Sequence, residues 1–350
     1  MSNETPFRTI HAAVVDNHQH LVFRELELAE PQENEVGIKI VACGICHTDL
    51  GFMTEGAILG HEGAGIVERV GSAVKSVKPG DHVLLSYQSC GQCPPCKDRQ
   101  PYECQHFNKL NFGFQRLDGS SAYPENVQGH FFGQSAFADY TLVTEQNLVK
   151  IPDDLPLEVL APLGCGVQTG AGTVFNTLNV QPGESLMVMG TGAVGLSAVM
   201  AAKIAGAKTI IAVDRSPARL ALASKLGATE TINSDQENYL ATLCPHLDYV
   251  IDTTGIAHLD ELGQDVLKQG GTLVRLTGSA GEPLTQGRKA ISVIQGNSVA
   301  QEFLPKLIEY WKQGQFPLEQ LITYYDFDDI NRAVKDAHRG NVIKAVLVWE

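Results

Sequence analysis

The hydrophobic pattern divides the chain into two parts of different character. Up to about residue 85, short β-rich apolar runs alternate with turns rich in glycine, proline and asparagine, which predicts a small barrel-like β domain. The predicted strands in this part are 12–15, 21–23, 36–40, 66–70 and 83–85. Two further segments, 136–143 and 148–150, are predicted to return as strands after a loop-rich stretch.

After Pro156, strands and helices alternate. Segment 185–189 is a continuous apolar run, as expected of a parallel strand buried on both faces, and an alanine-rich helix over 193–205 follows it. Further strands are predicted at 209–213, 247–251 and 272–276, with helices at 218–226 and 259–268. This alternation predicts a doubly wound parallel sheet. An amphipathic helix at 303–312 and a strand at 343–348 are expected to rejoin the first domain.

Length and charge narrow the class of protein. A chain of 350 residues favours two domains, and 43% hydrophobic with 19% charged residues is typical of a globular protein. The net charge of −14, without a basic run, argues against a nucleic-acid or anionic-membrane surface. No apolar run approaches the ~20 residues of a membrane span. The N-terminal residues lack the order of a secretory signal, so a cytoplasmic protein is expected.

The most specific chemical signal is a set of four cysteines within fifteen residues: Cys90, Cys93, Cys96 and Cys104. Four thiolates at this spacing can close one tetrahedron around zinc, and a closed site of this kind is structural. An iron–sulfur cluster is the rival interpretation. The chain has eight cysteines, and in a reducing compartment such clustering favours metal over disulfides.

A glycine-rich motif lies between the buried strand and the alanine-rich helix. Gly190 allows a tight turn, Gly192 lets the backbone approach a pyrophosphate, and Gly195 lets the helix pack on the strand. Asp214 ends the next predicted strand, where a carboxylate would hold the ribose hydroxyls and repel a 2′-phosphate. The motif therefore favours NAD over NADP, although the neighbouring Arg215 weakens that preference.

A second metal site is indicated by Cys46 and His61. A thiolate and an imidazole separated by a short loop are two of the three protein ligands that an open catalytic zinc site needs. The best candidate for the third is Cys165, which lies between two glycines. Taken singly, each of these residues fits a small buried hydrophobe or a core histidine better, so the metal hypothesis depends on the other motifs.

Taken together, these motifs resemble those of the zinc-dependent medium-chain alcohol dehydrogenases over essentially the whole chain. The segments that carry the resemblance are CGICHTD (43–49), GHEGAG (60–65), the four-cysteine lobe, CGVQTG (165–170), GTGAVG (190–195) and VD (213–214). Within the family, segments 101–104, 110–112 and 325–331 are most similar to the aryl-alcohol (benzyl-alcohol) dehydrogenases.

The resemblance implies an α/β fold with two domains. A GroES-like β-barrel catalytic domain is expected at 1–165, with its structural zinc lobe at 86–115, and it would be completed by 294–350. A Rossmann NAD-binding domain with a doubly wound parallel sheet is expected at 166–293.

The resemblance also implies the roles of residues around the catalytic metal. Cys46, His61 and Cys165 would hold the catalytic zinc. Asp49 would orient the histidine ligand. Glu62 would approach the metal during ligand exchange.

The resemblance places a further group near the cofactor. Thr48 would pass the alcohol proton onward, and His47 would lie near the pyrophosphate. Lys344 would reach the phosphates from the C-terminal segment, although a solvated lysine is an equally ordinary role for it. The remaining implied cofactor-binding residues are Ala193, Val194, Thr169, Arg219 and Thr277, of which Thr169 and Val194 would pack against the nicotinamide.

The chain departs from the family pattern at two places. The loop between Cys46 and His61 is shorter than usual, which puts the rim of the substrate cleft in doubt. Gly51 stands where many members have a histidine that ends the proton relay. Our hypothesis is that the relay runs from Thr48 through the cofactor ribose to His47 or to water.

The expected function is the reversible oxidation of a primary alcohol, with an aromatic or allylic body, to the aldehyde. Zinc would act as a Lewis acid at one of two zinc sites per chain, and NAD would accept the hydride. The residues proposed to line the pocket, each also plausible as plain core, are Tyr87, Phe112, Phe131 and Phe132. The alternatives are a polyol or secondary-alcohol dehydrogenase and, more remotely, a non-catalytic zinc- and nucleotide-binding protein. The small-molecule substrate would be the partner. A homo-oligomer is expected by resemblance, and our working hypothesis for its size is a homotetramer.

Overall fold

The computed structural model describes residues 7–235, 246–277 and 284–349. The chain forms two compact units. The first comprises Met1–Cys165, Val299–Glu309 and Pro317–Glu350, and the second comprises Gly166–Ser298 and Tyr310–Phe316. The sequence assigned all of 294–350 to the first domain, whereas 294–298 and 310–316 belong to the second unit.

The described residues form fifteen strands and ten α-helices. The strands are β1 Arg8–Val15, β2 Leu21–Leu28, β3 Glu35–Gly44, β4 Glu62–Val70, β5 His82–Leu85, β6 Tyr140–Thr144, β7 Leu148–Ile151, β8 Ser185–Met189, β9 Thr209–Asp214, β10 Glu230–Asn233, β11 Leu247–Asp252, β12 Leu267–Arg275, β13 Lys289–Ser292, β14 Ile322–Asp326 and β15 Lys344–Val348. The helices are α1 His47–Leu50, α2 Pro94–Lys97, α3 Phe107–Phe112, α4 Leu157–Leu160, α5 Gly166–Gly172, α6 Ala193–Ala205, α7 Pro217–Leu226, α8 Ala257–Val266, α9 Ala300–Lys312 and α10 Ile330–Arg339.

The first unit is organised around a sheet of seven strands in the order β14-β15-β3-β4-β5-β7, with β6 also paired to β3. β1 and β2 form a separate antiparallel hairpin. The central strand β3 pairs antiparallel with both β4 and β15, so that Gly44 lies opposite Glu62 on one side and Val346 on the other. Chain segments far apart in sequence therefore meet where β3 ends.

The second unit contains a parallel sheet of six described strands in the order β10-β9-β8-β11-β12-β13. β8 lies between β9 and β11, and its residues Leu186 to Met189 are fully buried. This explains why its sequence is apolar without alternation. The helix α6 begins directly after the glycine turn that follows β8 and ends at Gly206, which adopts a left-handed conformation (φ 81°).

Most elements predicted from the pattern are present, with some differences. The strand expected at 136–143 begins only at Tyr140, because Ala136 N and Phe137 N donate instead to the carbonyls of Gly60 and Leu59. The strands β10, β13 and β14 and the helix α10 were not predicted. The strands β10, β13 and β14 each bury at most one residue and so lack a clear apolar alternation. The helix α10 does carry an apolar stripe, with Ile330, Ala333, Val334 and Ala337 at helical spacing, but most of its other residues are polar and the prediction missed it.

Candidate active site

The end of strand β3 brings the first two candidate ligands together. Cys46 lies two residues beyond Gly44, and His61 lies one residue before Glu62, the strand partner of Gly44. A Cβ atom on Gly44 would come within 2.0 Å of Glu62 Oε2, so this glycine leaves room for the carboxylate. The β3–β4 pairing therefore places Cys46 and His61, which are fifteen residues apart in sequence, side by side.

Cys165 reaches the same place from a different segment. It follows the 3₁₀ turn Ala161–Gly164, which packs against β5 so closely that a Cβ on Gly164 would lie 2.2 Å from Leu85 O. Ser86 Oγ also donates to Gly164 O at 2.8 Å. These contacts fix the backbone just before the cysteine.

Four potential metal ligands meet at this point. One donor atom from each of Cys46, His61, Glu62 and Cys165 lies within 4.8 Å of the others. His61, Glu62 and Cys165 are buried, and Cys46 is partly buried. The structure therefore brings together the three ligands expected from the sequence and the neighbouring glutamate.

Asp49 orders the loops that carry these residues. Its Oδ2 accepts from Cys46 N at 2.8 Å, and its Oδ1 accepts from Gly60 N at 3.1 Å and from His61 Nδ1 at 2.8 Å. Because Nδ1 is the donor in this contact, Nε2 is the nitrogen left to bind a metal, which would displace any proton it carries. Nε2 is buried and has no hydrogen-bond partner within the described part of the chain, which is the condition of a ligand atom rather than of a satisfied core histidine.

The electrostatics of the cluster favour a cation. Burial by itself lowers the pKa of His61, but the Asp49 carboxylate and the Cys46 sulfur raise that pKa to about 10. The hydrogen bond from Cys165 holds the pKa of the Cys46 thiol well below its usual range. A thiolate is the form of cysteine that binds metal, so the lowered pKa of Cys46 suits a cation at this point.

Gln134, which the sequence did not indicate, clamps the same region. Its fully buried amide Nε2 donates to His61 O at 2.9 Å and to Ser86 O at 3.0 Å, and its Oε1 accepts from Gly63 N at 3.2 Å. No local pattern marks such a residue, since its partners come from segments 48 to 73 residues away.

Lys344 does not lie where the sequence expectation put it. Instead of reaching toward cofactor phosphates, its buried ammonium donates to Glu62 Oε1 at 2.9 Å, to Glu62 Oε2 at 2.8 Å and to Ile45 O at 3.1 Å. The pairing of β15 with β3 is the cause, because it places Lys344 two residues before Val346, the partner of Gly44. All three ammonium protons are directed to these acceptors.

Thr48 and His47 lie on the four-residue helix α1, directly after Cys46. Thr48 is partly buried, with its Oγ1 3.7 Å from Cys46 Sγ, and His47 is exposed. Gly51 is exposed at the C-terminus of the same helix. The hydroxyl is therefore near the candidate metal ligand, and the imidazole is on the solvent side.

Two phenylalanine rings pack against His61. Phe132 is stacked on the imidazole with centroids 4.3 Å apart, and Phe131 meets it edge-on at 5.6 Å. We call the following five residues the phenylalanine cluster: Phe52, Phe112, Phe114, Phe131 and Phe132. Tyr87, which was expected in the same pocket, packs on Phe107 instead and lines a cavity of about 430 Å³ beside the cysteine lobe.

The four-cysteine lobe forms a compact sulfur cluster. Cys93 Sγ lies 3.4 Å from Cys96 Sγ and 3.9 Å from Cys104 Sγ, and Cys90 Sγ lies 3.9 Å from Cys96 Sγ. A tetrahedral zinc with bonds of ~2.3 Å places its sulfurs ~3.8 Å apart. The sulfurs are too close to surround a cluster of several irons, so the spacing fits one ion. Cys244 lies outside the described residues.

In the second unit, the glycine motif forms the turn expected of a phosphate-binding loop. Gly190 has φ 87°, and a Cβ on Gly195 would lie 1.9 Å from Gly190 O. Gly192 differs, because its backbone (φ −76°, ψ −167°) suits any residue and a Cβ there would meet no described atom within 4 Å. The space beside Gly192, at the N-terminus of α6, therefore fits a pyrophosphate.

Asp214 ends β9 beside this loop. Its Oδ2 accepts from Thr191 N and from Thr191 Oγ1, both at 2.8 Å, and its Oδ1 accepts from Ser216 N at 2.9 Å. The carboxylate is only partly buried, so the remaining acceptor positions can take ribose hydroxyls.

The other predicted cofactor residues occupy several elements of the second unit. Arg215 is exposed after β9, and Arg219 lies in the first turn of α7. Ala193 and Val194 begin α6, and a Cβ on Gly170 of α5 would lie 2.0 Å from Val194 O. The last two predicted residues are Thr169 in α5, which is partly buried, and Thr277 after β12, which is exposed.

Comparison with known proteins assigns the family. Residues 32–153 match the alcohol dehydrogenase GroES-like domain, and residues 193–310 match the zinc-binding dehydrogenase domain. Geraniol dehydrogenase of Castellaniella defragrans is 38% identical over an alignment 356 positions long, gaps included, that covers 94% of each chain. The chain belongs to the family of medium-chain zinc alcohol dehydrogenases. It is an enzyme of alcohol oxidation with a GroES-like domain and a Rossmann-type parallel sheet, and the non-catalytic alternative is not supported.

Two solved structures are very similar to this alcohol dehydrogenase. The benzyl alcohol dehydrogenase of Acinetobacter calcoaceticus has a TM-score of 0.93 and 38% identity, covering 98% of this chain and 100% of that one. An alcohol dehydrogenase zinc-binding domain protein of Burkholderia ambifaria has a TM-score of 0.93 and 40% identity, covering 97% and 99%. Among the described residues, no helix has the length and apolar content needed to cross a bilayer.

Proposed function

We propose that this alcohol dehydrogenase interconverts a primary alcohol with an aromatic or allylic body and its aldehyde, using NAD and a catalytic zinc. Cys46, His61 and Cys165 would hold that zinc, with Glu62 beside it. A second, structural zinc would be held by the four-cysteine lobe. The observation that carries the proposal is the buried Nε2 of His61, which faces two cysteine sulfurs while Nδ1 is held by Asp49.

The chemistry divides between the bound groups and the protein. Zinc, when bound there, supplies a Lewis acid that lowers the pKa of an alcohol hydroxyl, and NAD supplies the hydride acceptor. The protein's part is to hold the ligand atoms in place, to lower the pKa of the Cys46 thiol and to move the proton. Thr48 Oγ1 lies 3.7 Å from Cys46 Sγ, so we assign it the first proton transfer, with exposed His47 or solvent water beyond it.

Asp214 supports the choice of NAD. Its carboxylate is fixed by three hydrogen bonds and would repel a 2′-phosphate. An Asp214→Asn variant removes the charge, and we expect the ratio of kcat/KM with NADP to that with NAD to rise at least ~10-fold, since like-charge juxtaposition costs several kcal/mol. An unchanged ratio would contradict this assignment.

The phenylalanine cluster supports an apolar, planar substrate. Phe131 and Phe132 lie against His61, and neither ring offers a hydrogen bond to a second hydroxyl group. The names of two similar proteins, geraniol dehydrogenase and benzyl alcohol dehydrogenase, point to allylic and benzylic alcohols for this chain as well. The polyol and secondary-alcohol alternatives lack a comparable observation.

A homotetramer in the cytoplasm remains part of the proposal. The seven described cysteines are all free of disulfides, which suits a reducing compartment. Light scattering on the purified protein tests the subunit count, and a monomer would contradict it.

The experiment that tests the proposed function is a cofactor-absorbance screen. Benzyl alcohol, geraniol, ethanol, 2-propanol and sorbitol would be compared, each with NAD and with NADP. We expect the highest kcat/KM for benzyl alcohol or geraniol with NAD. We also expect Thr48→Val to lower kcat by ~10²–10⁴, as for other proton-transfer groups, and Thr48→Ser to retain most of it. A preference for sorbitol or 2-propanol would overturn the substrate assignment.

A further inference from the structure

The phenylalanine cluster extends outward from the candidate metal site. Phe131 and Phe132 are buried next to His61. Phe112 meets Phe132 edge-on at 5.1 Å, and Phe52 lies 5.3 Å from Phe131. The rings thus connect the buried imidazole to a partly exposed surface.

The outer end of the cluster is a parallel pair of rings. Phe52 and Phe112 stack with centroids 5.0 Å apart and an interplanar angle of 8°. Both are partly exposed, in contrast to the buried inner rings. Their apolar surface remains available to a substrate that enters beside His61.

Phe52 is held by the same short loop that carries a candidate zinc ligand. Phe52 lies just after α1, the helix that directly follows Cys46, and its backbone N donates to Asp49 O at 3.0 Å. Phe112 comes from α3, which is fixed by Asn111 through contacts with Gln88 N at 2.8 Å and Gln88 O at 2.9 Å. Two independently anchored segments therefore present parallel rings next to the site.

We propose that Phe52 and Phe112 determine the specificity for planar, unsaturated alcohols over saturated alcohols of the same size. This inference rests on the proposed function. An aromatic or conjugated group can lie offset on, or edge-on to, a phenyl ring and gain about 0.5–1.5 kcal/mol beyond the burial of its area. A puckered saturated ring buries similar area without that gain, so the pair discriminates by shape and charge distribution rather than by volume.

The test compares benzyl alcohol with cyclohexylmethanol, which have the same carbon skeleton and the same reacting group. The measured quantity is the ratio of their kcat/KM values in the wild type, Phe52→Leu and Phe112→Leu. Leucine keeps an apolar side chain but removes the ring. We expect each variant to lower the ratio ~2- to 10-fold, the range of one aromatic pair. Phe52→Tyr keeps the ring and is expected to restore the ratio.

Phe23→Leu is the matched control. Phe23 is also a partly exposed phenylalanine in the first unit, but it stacks with His11 at 5.0 Å and lies outside the phenylalanine cluster. Its ratio is expected to equal that of the wild type. Zinc content and the thermal midpoint, measured on every variant, distinguish the effect of removing the ring from a general loss of folded protein.

The outcomes distinguish this inference from the proposed function. If the wild type oxidises no alcohol in the panel, the proposed function itself fails. If the wild type prefers benzyl alcohol and folded Phe52→Leu and Phe112→Leu keep its ratio, the enzyme assignment stands and the specificity role is wrong. A ratio that falls equally in Phe23→Leu would also overturn it.

Discussion

His61 donates from Nδ1 to Asp49 Oδ1 at 2.8 Å, while the same carboxylate accepts from the backbone of Cys46 and Gly60. One acid group therefore sets both the orientation of the histidine and the loop of the first cysteine. We expect Asp49→Asn to weaken zinc binding at this site ~10- to 100-fold, because an amide has one acceptor oxygen and turns its NH₂ toward a donor.

Stepwise removal of zinc by a chelator checks this prediction. The four-cysteine lobe is an internal control, since Asp49 makes no contact with it in the described structure. Asp49→Asn should lose one zinc early and keep the other. Equal retention of both ions in wild type and variant would show that Asp49 does not position the ligands.

The buried pair of Lys344 and Glu62 makes a prediction about stability. Burial raises the pKa of Glu62 while Lys344 opposes that shift. Lys344→Met leaves the carboxylate buried without its cation, which costs about 3–5 kcal/mol of unfolding free energy. Lys335→Met, an exposed lysine on α10, is the control and should change stability by less than about 0.5 kcal/mol.

Urea unfolding of both variants provides the measurement. Adding Glu62→Gln to Lys344→Met removes the unpaired charge and should recover part of the loss. If Lys344→Met were as stable as Lys335→Met, the pair would have no net structural role.

Replacing glycine with alanine is expected to have different effects at two positions of the nucleotide loop. Gly192→Ala should leave the thermal midpoint unchanged and weaken NAD binding, because its Cβ would occupy open space where the pyrophosphate is proposed to lie. Gly195→Ala should lower the thermal midpoint, because its Cβ would lie 1.9 Å from Gly190 O. Calorimetric titration with NAD and thermal unfolding separate the two. Unchanged NAD affinity in Gly192→Ala would contradict the proposed cofactor position.

The lowered pKa of the buried His130 leads to a prediction of how stability depends on pH. Burial, together with Arg116, lowers its pKa to about 3, against a smaller opposing effect of Asp118. Its Nε2 accepts from Ala122 N at 3.0 Å, a contact that protonation would break. Because the unfolded histidine binds a proton below pH ~6.5, unfolding free energy should fall from there toward pH 3 by up to ~1.4 kcal/mol per unit.

His130→Gln removes this titration while keeping a side-chain acceptor within reach of Ala122 N. Urea unfolding between pH 7 and 5.5 should show a smaller loss of stability for the variant than for the wild type. Parallel pH profiles would mean that His130 is not the group responsible.

The sequence predicted those parts of the fold that have strong local patterns. The strand β8 and the helix α6 occur with the expected bounds, because an apolar run, a glycine turn and an alanine-rich helix follow one another directly. The unpredicted strands β10 and β13 lie at the two edges of their sheet, where a mixed composition is tolerated. The helix α10 was missed although Ile330, Ala333, Val334 and Ala337 recur at helical spacing, because alanine is a weak apolar signal in a mostly polar segment.

The candidate site shows the same division. Cys46, His61 and Cys165 could be proposed from residue types and family resemblance, and the structure places them together. The positions of Lys344, Gln134 and Phe52 depend on contacts that no local pattern records. Lys344 is set by the β15–β3 register, Gln134 by a buried loop, and Phe52 by a ring from another segment.

The most direct test is a crystal structure of the zinc-loaded protein with anomalous scattering measured at the zinc edge. We expect one peak bonded to Cys46 Sγ, His61 Nε2 and Cys165 Sγ, at ~2.3 Å from each sulfur and ~2.0–2.1 Å from the nitrogen, and a second peak within the four-cysteine lobe. A peak in the lobe alone, with His61 Nε2 bonded to a protein group or to water, would contradict it.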